Sequence, residues 1–236
     1  MKKNRGFTII EYMVAMAMSL FCVLAVSGIY IAVKRNFLDQ GGISSFQENQ
    51  RLAMTMLTNS IQSAGYFVDP LTSTQQSVFI ENTDWGLTTG QFITGSQSDT
   101  AGSSITIRYE SASGDGVMNC LGASNKSGAN IVFINTFSVN TDNKLICKAN
   151  DSAGDISTVV LASNIKKLNI LYAQDTNADG KTDRYVTANA VTDWKQVKAV
   201  RLTMTFIDTI NSTASNVIEL PSVNQYVNIM STYEYL

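Results

Sequence analysis

The chain has 236 residues, of which 44% are apolar and only 15% charged, so it holds enough material for a folded core in one or two domains. Its net charge is -2 even with Lys2, Lys3 and Arg5 counted, so the body beyond them offers no basic surface for direct nucleic-acid binding. Histidine is absent, which excludes Ser-His-Asp and Cys-His nucleophile systems, HExxH zinc sites and any histidine general base. Carboxylate pairs could still do hydrolytic work, but any chain offers some pair, and the composition argues against an enzyme.

The first element is a run of 27 residues, Phe7 to Val33, with one charge, Glu11. At about 1.5 Å per residue such a helix crosses the roughly 30 Å hydrocarbon core. It is longer than a secretory signal, and no small-residue cleavage site follows it. The basic residues before it favour a cytoplasmic N-terminus, although Lys34 and Arg35 after it weaken that asymmetry. A carboxylate near the start of a membrane helix is costly and calls for a partner or a function.

The stretch Lys2-Lys3-Asn4-Arg5-Gly6-Phe7-Thr8-Ile9-Ile10-Glu11 resembles the class III signal of type IV prepilins: a basic leader, a glycine, an aromatic residue and then a glutamate. The resemblance implies that a prepilin peptidase cuts between Gly6 and Phe7 and that the new amine of Phe7 is methylated. It also implies that Glu11 pairs with the N-terminal amine of a neighbouring subunit and sets registry during assembly. A buried carboxylate becomes tolerable once a cation meets it in low dielectric.

Beyond Arg35, Phe46, Ala53, Leu57, Ile61 and Ala64 recur at helical spacings and define one face of an amphipathic helix. Gly41-Gly42 predicts a break or bend in it, and Gly65 a stop. From Tyr66 onward the pattern is mostly β. Strands are expected at 104–110, 131–139, 144–148, 158–162, 165–173, 184–187 and 197–206, with clear alternation at 105–109 and 200–206. The stretch 87–104 reads as a long loop. Asp115, Trp85 and Trp194 are read as a turn residue and as core or interface aromatics. The expected fold class is α+β, a pilin-like fold with a long N-terminal helix packed on an antiparallel β-sheet. The corresponding segments are a leader at 1–6, a transmembrane or filament-core helix at 7–33, its amphipathic second half at 34–65, and a periplasmic or extracellular β-rich domain at 66–236.

Of three cysteines, Cys22 lies in the membrane run and reads as a small apolar residue. Cys120 and Cys147 fall in the exported body, where an oxidising compartment favours a disulfide over two unpaired core thiols. The segment Asp175-Thr176-Asn177-Ala178-Asp179-Gly180-Lys181-Thr182-Asp183 places oxygen side chains at alternate positions before a glycine, like the first half of a Ca²⁺ loop. Asp175, Asn177, Asp179, the Lys181 carbonyl and Asp183 would be the ligands of a structural ion. Val186 stands where an EF-hand has its bidentate glutamate, and a metal-free Asx-rich hairpin turn has the same composition. No cofactor is required on either reading.

The run Phe46-Gln47-Glu48-Asn49-Gln50-Arg51-Leu52-Ala53, continuing to Ser63-Ala64-Gly65-Tyr66, resembles the PilW-like minor pilins. So does the segment Asp175 to Tyr185 with Trp194, Val197, Ala199, Val200 and Arg201. This implies a low-abundance subunit that primes pilus assembly at the filament tip, and supports twitching motility, adhesion and DNA uptake indirectly. The partners implied are the other minor pilins, the major pilin, a tip adhesin and the inner-membrane assembly platform. A minor pseudopilin of a type II secretion system shares the signal and fold, and a single-pass anchored periplasmic binding domain is the alternative of another class.

Overall fold

A computed structural model describes residues 8–98, 102–208, 212–213 and 216–230. The chain divides into two compact units, one ending at Gln47 and one beginning at Glu48.

Helix α1 spans Ile9–Gln62 without interruption. The break expected at Gly41-Gly42 is absent. Glycine lowers helix propensity by about 1 kcal/mol relative to alanine but leaves helical backbone angles accessible. Proline, which would remove a hydrogen bond and clash, does not occur before Pro70. In the first unit the apolar side chains of α1 are exposed all round, from Ile9 through Phe21 to Leu38.

In the second unit the end of α1 buries Ala53, Leu57 and Ile61 on one face. Gly65 ends the turn in the left-handed region at φ 77°, where a β-carbon would be strained. Its N–H donates to the Arg108 carbonyl at 2.8 Å, and the Tyr66 carbonyl accepts from the Glu110 N–H at 2.8 Å. The exit from the helix is thus stitched onto a strand. A single helical turn, α2, follows at Gln75–Val78, closed by a reciprocal capping box between Thr74 and Ser77.

Nine strands form two antiparallel sheets among the described residues. The first sheet is a meander in the order β1 (Ile93–Ser98), β2 (Gly102–Ser111), β3 (Ile131–Val139), β4 (Leu145–Asn150), β5 (Ile156–Ala162). The second has the order β7 (Arg184–Val186), β6 (Ile165–Gln174), β8 (Val197–Phe206), β9 (Val223–Asn228). Period-two alternation explains the best-defined members: Ile105, Ile107 and Tyr109 of β2, and Val200, Leu202, Met204 and Phe206 of β8, are buried on one face. The architecture is α+β, a long helix whose C-terminal part packs on sheets, with two sheets in place of the single one expected.

Two further corrections apply. The stretch read as a loop at 87–104 contains β1, and β9 was not anticipated. In β1, the alternation is weakened by Gly95, which the second sheet requires: a β-carbon there would lie 2.0 Å from the Tyr172 hydroxyl. The sheets meet at this point. The Ile170 N–H donates to Ser103 Oγ at 3.1 Å, and the Tyr172 hydroxyl donates to the Ser104 carbonyl at 3.3 Å. Strand β9 is an edge whose polar side chains (Asn224, Gln225, Asn228) carry little hydrophobic signal.

Candidate functional site

Chemistry-bearing residues fall in four places. The first is the start of α1. Ile9–Leu38 is long and apolar enough to cross a membrane, with mean hydropathy 2.2. Gly6 and Phe7, the expected cleavage and methylation positions, lie outside the described residues. Glu11 has a partner that the sequence reading missed. Its Oε2 accepts from the Thr8 N–H at 2.9 Å and from Thr8 Oγ1 at 3.0 Å, while the Glu11 N–H donates back to Thr8 Oγ1 at 3.3 Å. This is a capping box, and the Thr-x-x-Glu spacing at 8–11 was the signal that could have found it.

The second place is the disulfide. Cys120 and Cys147 are joined, with their α-carbons 6.3 Å apart, and Cys147 is buried on β4. The bridge fastens the loop between β2 and β3 to the first sheet. Side-chain amides do the same work beside it: Asn119 Nδ2 donates to the Asn150 carbonyl at 2.7 Å, and Asn135 Oδ1 accepts from the Cys120 N–H at 3.2 Å. The Tyr109 hydroxyl donates to the Met118 carbonyl at 2.7 Å, and burial pushes that phenol up to about 12. Asp115 closes a turn, accepting from the N–H groups of Ala112 and Val117. Cys22 is a free, exposed thiol on α1.

The third place is the Asp175–Asp183 loop, held at the ends of β6 and β7. Ala178 and Gly180 adopt left-handed angles, φ 60° and 81°. Asp175 is buried; its two carboxylate oxygens accept from the N–H groups of Asp179 (3.2 Å) and Gly180 (2.9 Å). Asn177 Oδ1 accepts from the Asp179 N–H at 3.0 Å, and Asp179 Oδ1 from the Lys181 N–H at 2.8 Å. Asp183 Oδ2 takes the hydroxyl and N–H of Thr176, at 2.6 and 2.7 Å, and those two bonds hold its carboxyl below the usual aspartate range. The oxygens expected to converge on a cation are thus directed at the loop's own backbone. No group of three or more His, Cys, Asp or Glu side chains gathers in metal-binding fashion among the described residues. These hydrogen bonds form a self-bonded Asx turn.

The fourth was not anticipated at all. Arg108, on the face of β2 opposite Ile107 and Tyr109, is almost fully buried and, among the described residues, reaches no carboxylate. Its guanidinium donates to the carbonyls of Gln91, Ile80, Phe79 and Thr88 at 2.5, 2.6, 3.2 and 2.6 Å, and stands 5.1 Å from the centroid of the Phe79 ring. Burial lowers its pKa to about 10, which leaves it charged at neutral pH. One side chain therefore pins the whole 79–91 segment to the first sheet. Lys148 supports the same segment, its ammonium 4.7 Å from the centroid of the Trp85 ring. Trp194, in the single turn just before β8, packs edge-on against Tyr172 of β6, with the ring centroids 4.7 Å apart. These contacts build structure and present no nucleophile or acid-base pair to a substrate.

Two family models match the chain. The type IV pilus-assembly protein W family matches residues 132–221, from β3 to the segment before β9, and the prokaryotic N-terminal methylation motif matches residues 1–27. No curated protein matches it. The methylation motif, followed by an exposed apolar helix continuous with a β-rich body, defines a type IV pilin-like protein, anchored to the membrane by a single span. Within that class, residues 132–221 are PilW-like and the N-terminus resembles a class III signal. The Asp175–Arg201 resemblance falls within the matched range, whereas the 46–66 segment lies outside both matches.

Proposed function

We propose that this chain is a minor pilin of a type IV pilus, a subunit of the complex that primes assembly and occupies the filament tip. Its work is association. Residues 7–33 hold it in the inner membrane before assembly and pack in the filament core afterwards, 34–65 form the amphipathic continuation, and 66–236 form a periplasmic body that becomes extracellular in the filament. Prepilin peptidase processes Gly6-Phe7, and Glu11 meets the amine of a neighbour. The other minor pilins, the major pilin, a tip adhesin and the assembly platform are the partners. No cofactor is required, any ion in the Asp175–Asp183 loop would be structural, and twitching motility, adhesion and DNA uptake depend on the chain through the pilus. One observation carries the reading: Ile9–Leu38 leaves its apolar side chains unburied within the chain, so this surface must be covered by lipid or by other subunits.

Deleting the gene tests the proposal. Loss of surface pili with protein secretion intact supports it. Retained pili with lost exoprotein secretion replaces it with a type II secretion pseudopilin. A chain that keeps Met1 in membranes would point to the anchored binding domain.

A further inference from the structure

Among the described residues, strand β5 is one of the two edges of the first sheet, and it lacks the protection that edges usually carry. Its residues, Ile156-Ser157-Thr158-Val159-Val160-Leu161-Ala162, include no charge and no proline, and Ile156 to Val160 are exposed on both faces. The one register irregularity lies opposite Leu145/Ile146, at its far end, so 156–160 is a regular strand. The backbone directions follow from alternation across the sheet. The Arg108 N–H bonds the Phe92 carbonyl, so even-numbered residues of β2 face β1 and odd-numbered ones face β3. Carried through the registers of β3 and β4, this turns Ser157 and Val159 toward β4. The N–H and C=O groups of Ile156, Thr158 and Val160 therefore point away from the sheet.

We propose that this edge accepts an added β-strand from a neighbouring subunit, an inference that rests on reading the chain as a filament subunit. The row of outward donors and acceptors is satisfied by an extended backbone. Ile156, Val159 and Val160 ask for uncharged, β-branched or aromatic side chains beside them. Size identifies the source. A seven-residue edge, about 24 Å of strand, cannot alone reach the roughly 1,200–2,000 Å² of a stable free complex or homodimer. It suffices for a segment already held nearby, and the α1 anchors of adjacent subunits supply that effective concentration. The other three edges fit less well: β1 is interrupted by Gly95 and ends in the polar Ser96-Gln97-Ser98, β7 has three residues and carries Arg184, and β9 is rich in asparagine and glutamine.

The test uses the full chain in its own piliated cells, with the photo-crosslinking residue p-benzoylphenylalanine in place of Ile156 and, separately, of Val160. Cross-linked peptides are mapped by mass spectrometry. The expected result is a cross-link from both positions to one short uncharged segment of a different pilus subunit. Thr158→Pro, which removes an outward N–H and leaves the bonds to β4 intact, abolishes the cross-link from Ile156, whereas Thr158→Val preserves it. Cross-links only to a second copy overturn the proposal in favour of edge-to-edge pairing. No cross-link from a processed chain recovered with the assembly overturns it outright. An unprocessed chain absent from the assembly removes the filament reading, and the inference with it.

Discussion

Replacing Arg108 by methionine keeps an unbranched apolar stem that reaches about as far as Nε but deletes the guanidinium and its donors to four carbonyls. Ile80 and Thr88 lie on exposed residues and can turn their carbonyls to water, whereas Phe79 is fully buried and Gln91 nearly so. Two dry, unsatisfied acceptors cost about 1–3 kcal/mol each, partly offset because a charge is no longer buried, so we expect a net loss of about 2–4 kcal/mol. For a folded body of this size that lowers the thermal midpoint by about 4–16 °C. The assay is thermal unfolding of the detergent-solubilised chain followed by circular dichroism, with the disulfide intact. Arg108→Lys should fall between, because one compact ammonium cannot span carbonyls that a planar fork reaches together. Limited proteolysis should show cleavage in 79–91 first, since Arg108 holds that segment. A midpoint shift under about 2 °C for Arg108→Met, with 79–91 still protected, would refute the claim that this side chain carries the segment.

Serine at both Cys120 and Cys147 removes the constraint on a loop of separation 27, worth about 3.5 kcal/mol in the chain-entropy model, and should lower the thermal midpoint by about 7–14 °C. Matching midpoints for the serine pair and the oxidised chain would contradict this. Asp183 has its folded pKa depressed by Thr176, so its contribution is fully present above the ordinary aspartate value of 3.8 and is lost as pH falls through the lower folded value. Asp183→Asn should therefore flatten the acid-side decline in stability, measured as midpoint against pH; an unchanged slope refutes it. Calcium at 10 mM would raise the midpoint by about 3–10 °C if the Asp175–Asp183 loop bound it with the millimolar to 0.1 mM affinity of extracellular modules. A loop that only bonds to itself shows no rise in calorimetry, whereas a rise lost in Asp179→Ala would establish the metal site.

Much of the fold was legible because burial on one face imprints a period on the chain. Strands β2, β3, β6 and β8 show it, and so does the Ala53, Leu57, Ile61 stripe of α1. Strand β1 was hidden because its glycine answers to Tyr172, 77 positions away in sequence, and not to its own neighbours. Arg108 was hidden for a related reason. Its partners are backbone carbonyls, which every residue possesses, so no residue type announces them. The glycine pair misled in the opposite direction: a local permission to bend was read as a bend, although nothing around it required one. At the Asp175–Asp183 loop, composition could not separate a cation cage from an Asx turn, since both need oxygen acceptors and a left-handed residue.

Glu11 is where local structure and assembly compete for one group. The Thr8 capping box satisfies the first N–H groups of α1 and occupies Oε2, so the isolated chain already has a settled helix start. A neighbour's amine, which the prepilin resemblance places here, must either share the carboxylate or displace Thr8. The two roles separate by substitution. Thr8→Val removes the hydroxyl contacts and leaves the charge, whereas Glu11→Gln leaves a capping acceptor and removes the charge. If Glu11 acts only as a cap, Glu11→Gln should assemble nearly as well as the unaltered chain and Thr8→Val should be the poorer of the two. If it meets a cation, the order reverses: Glu11→Gln is processed and held in the membrane but recovered poorly with the filament. The ratio of filament-associated to membrane-held chain in the two variants decides between them, because both keep the apolar helix that membrane insertion requires.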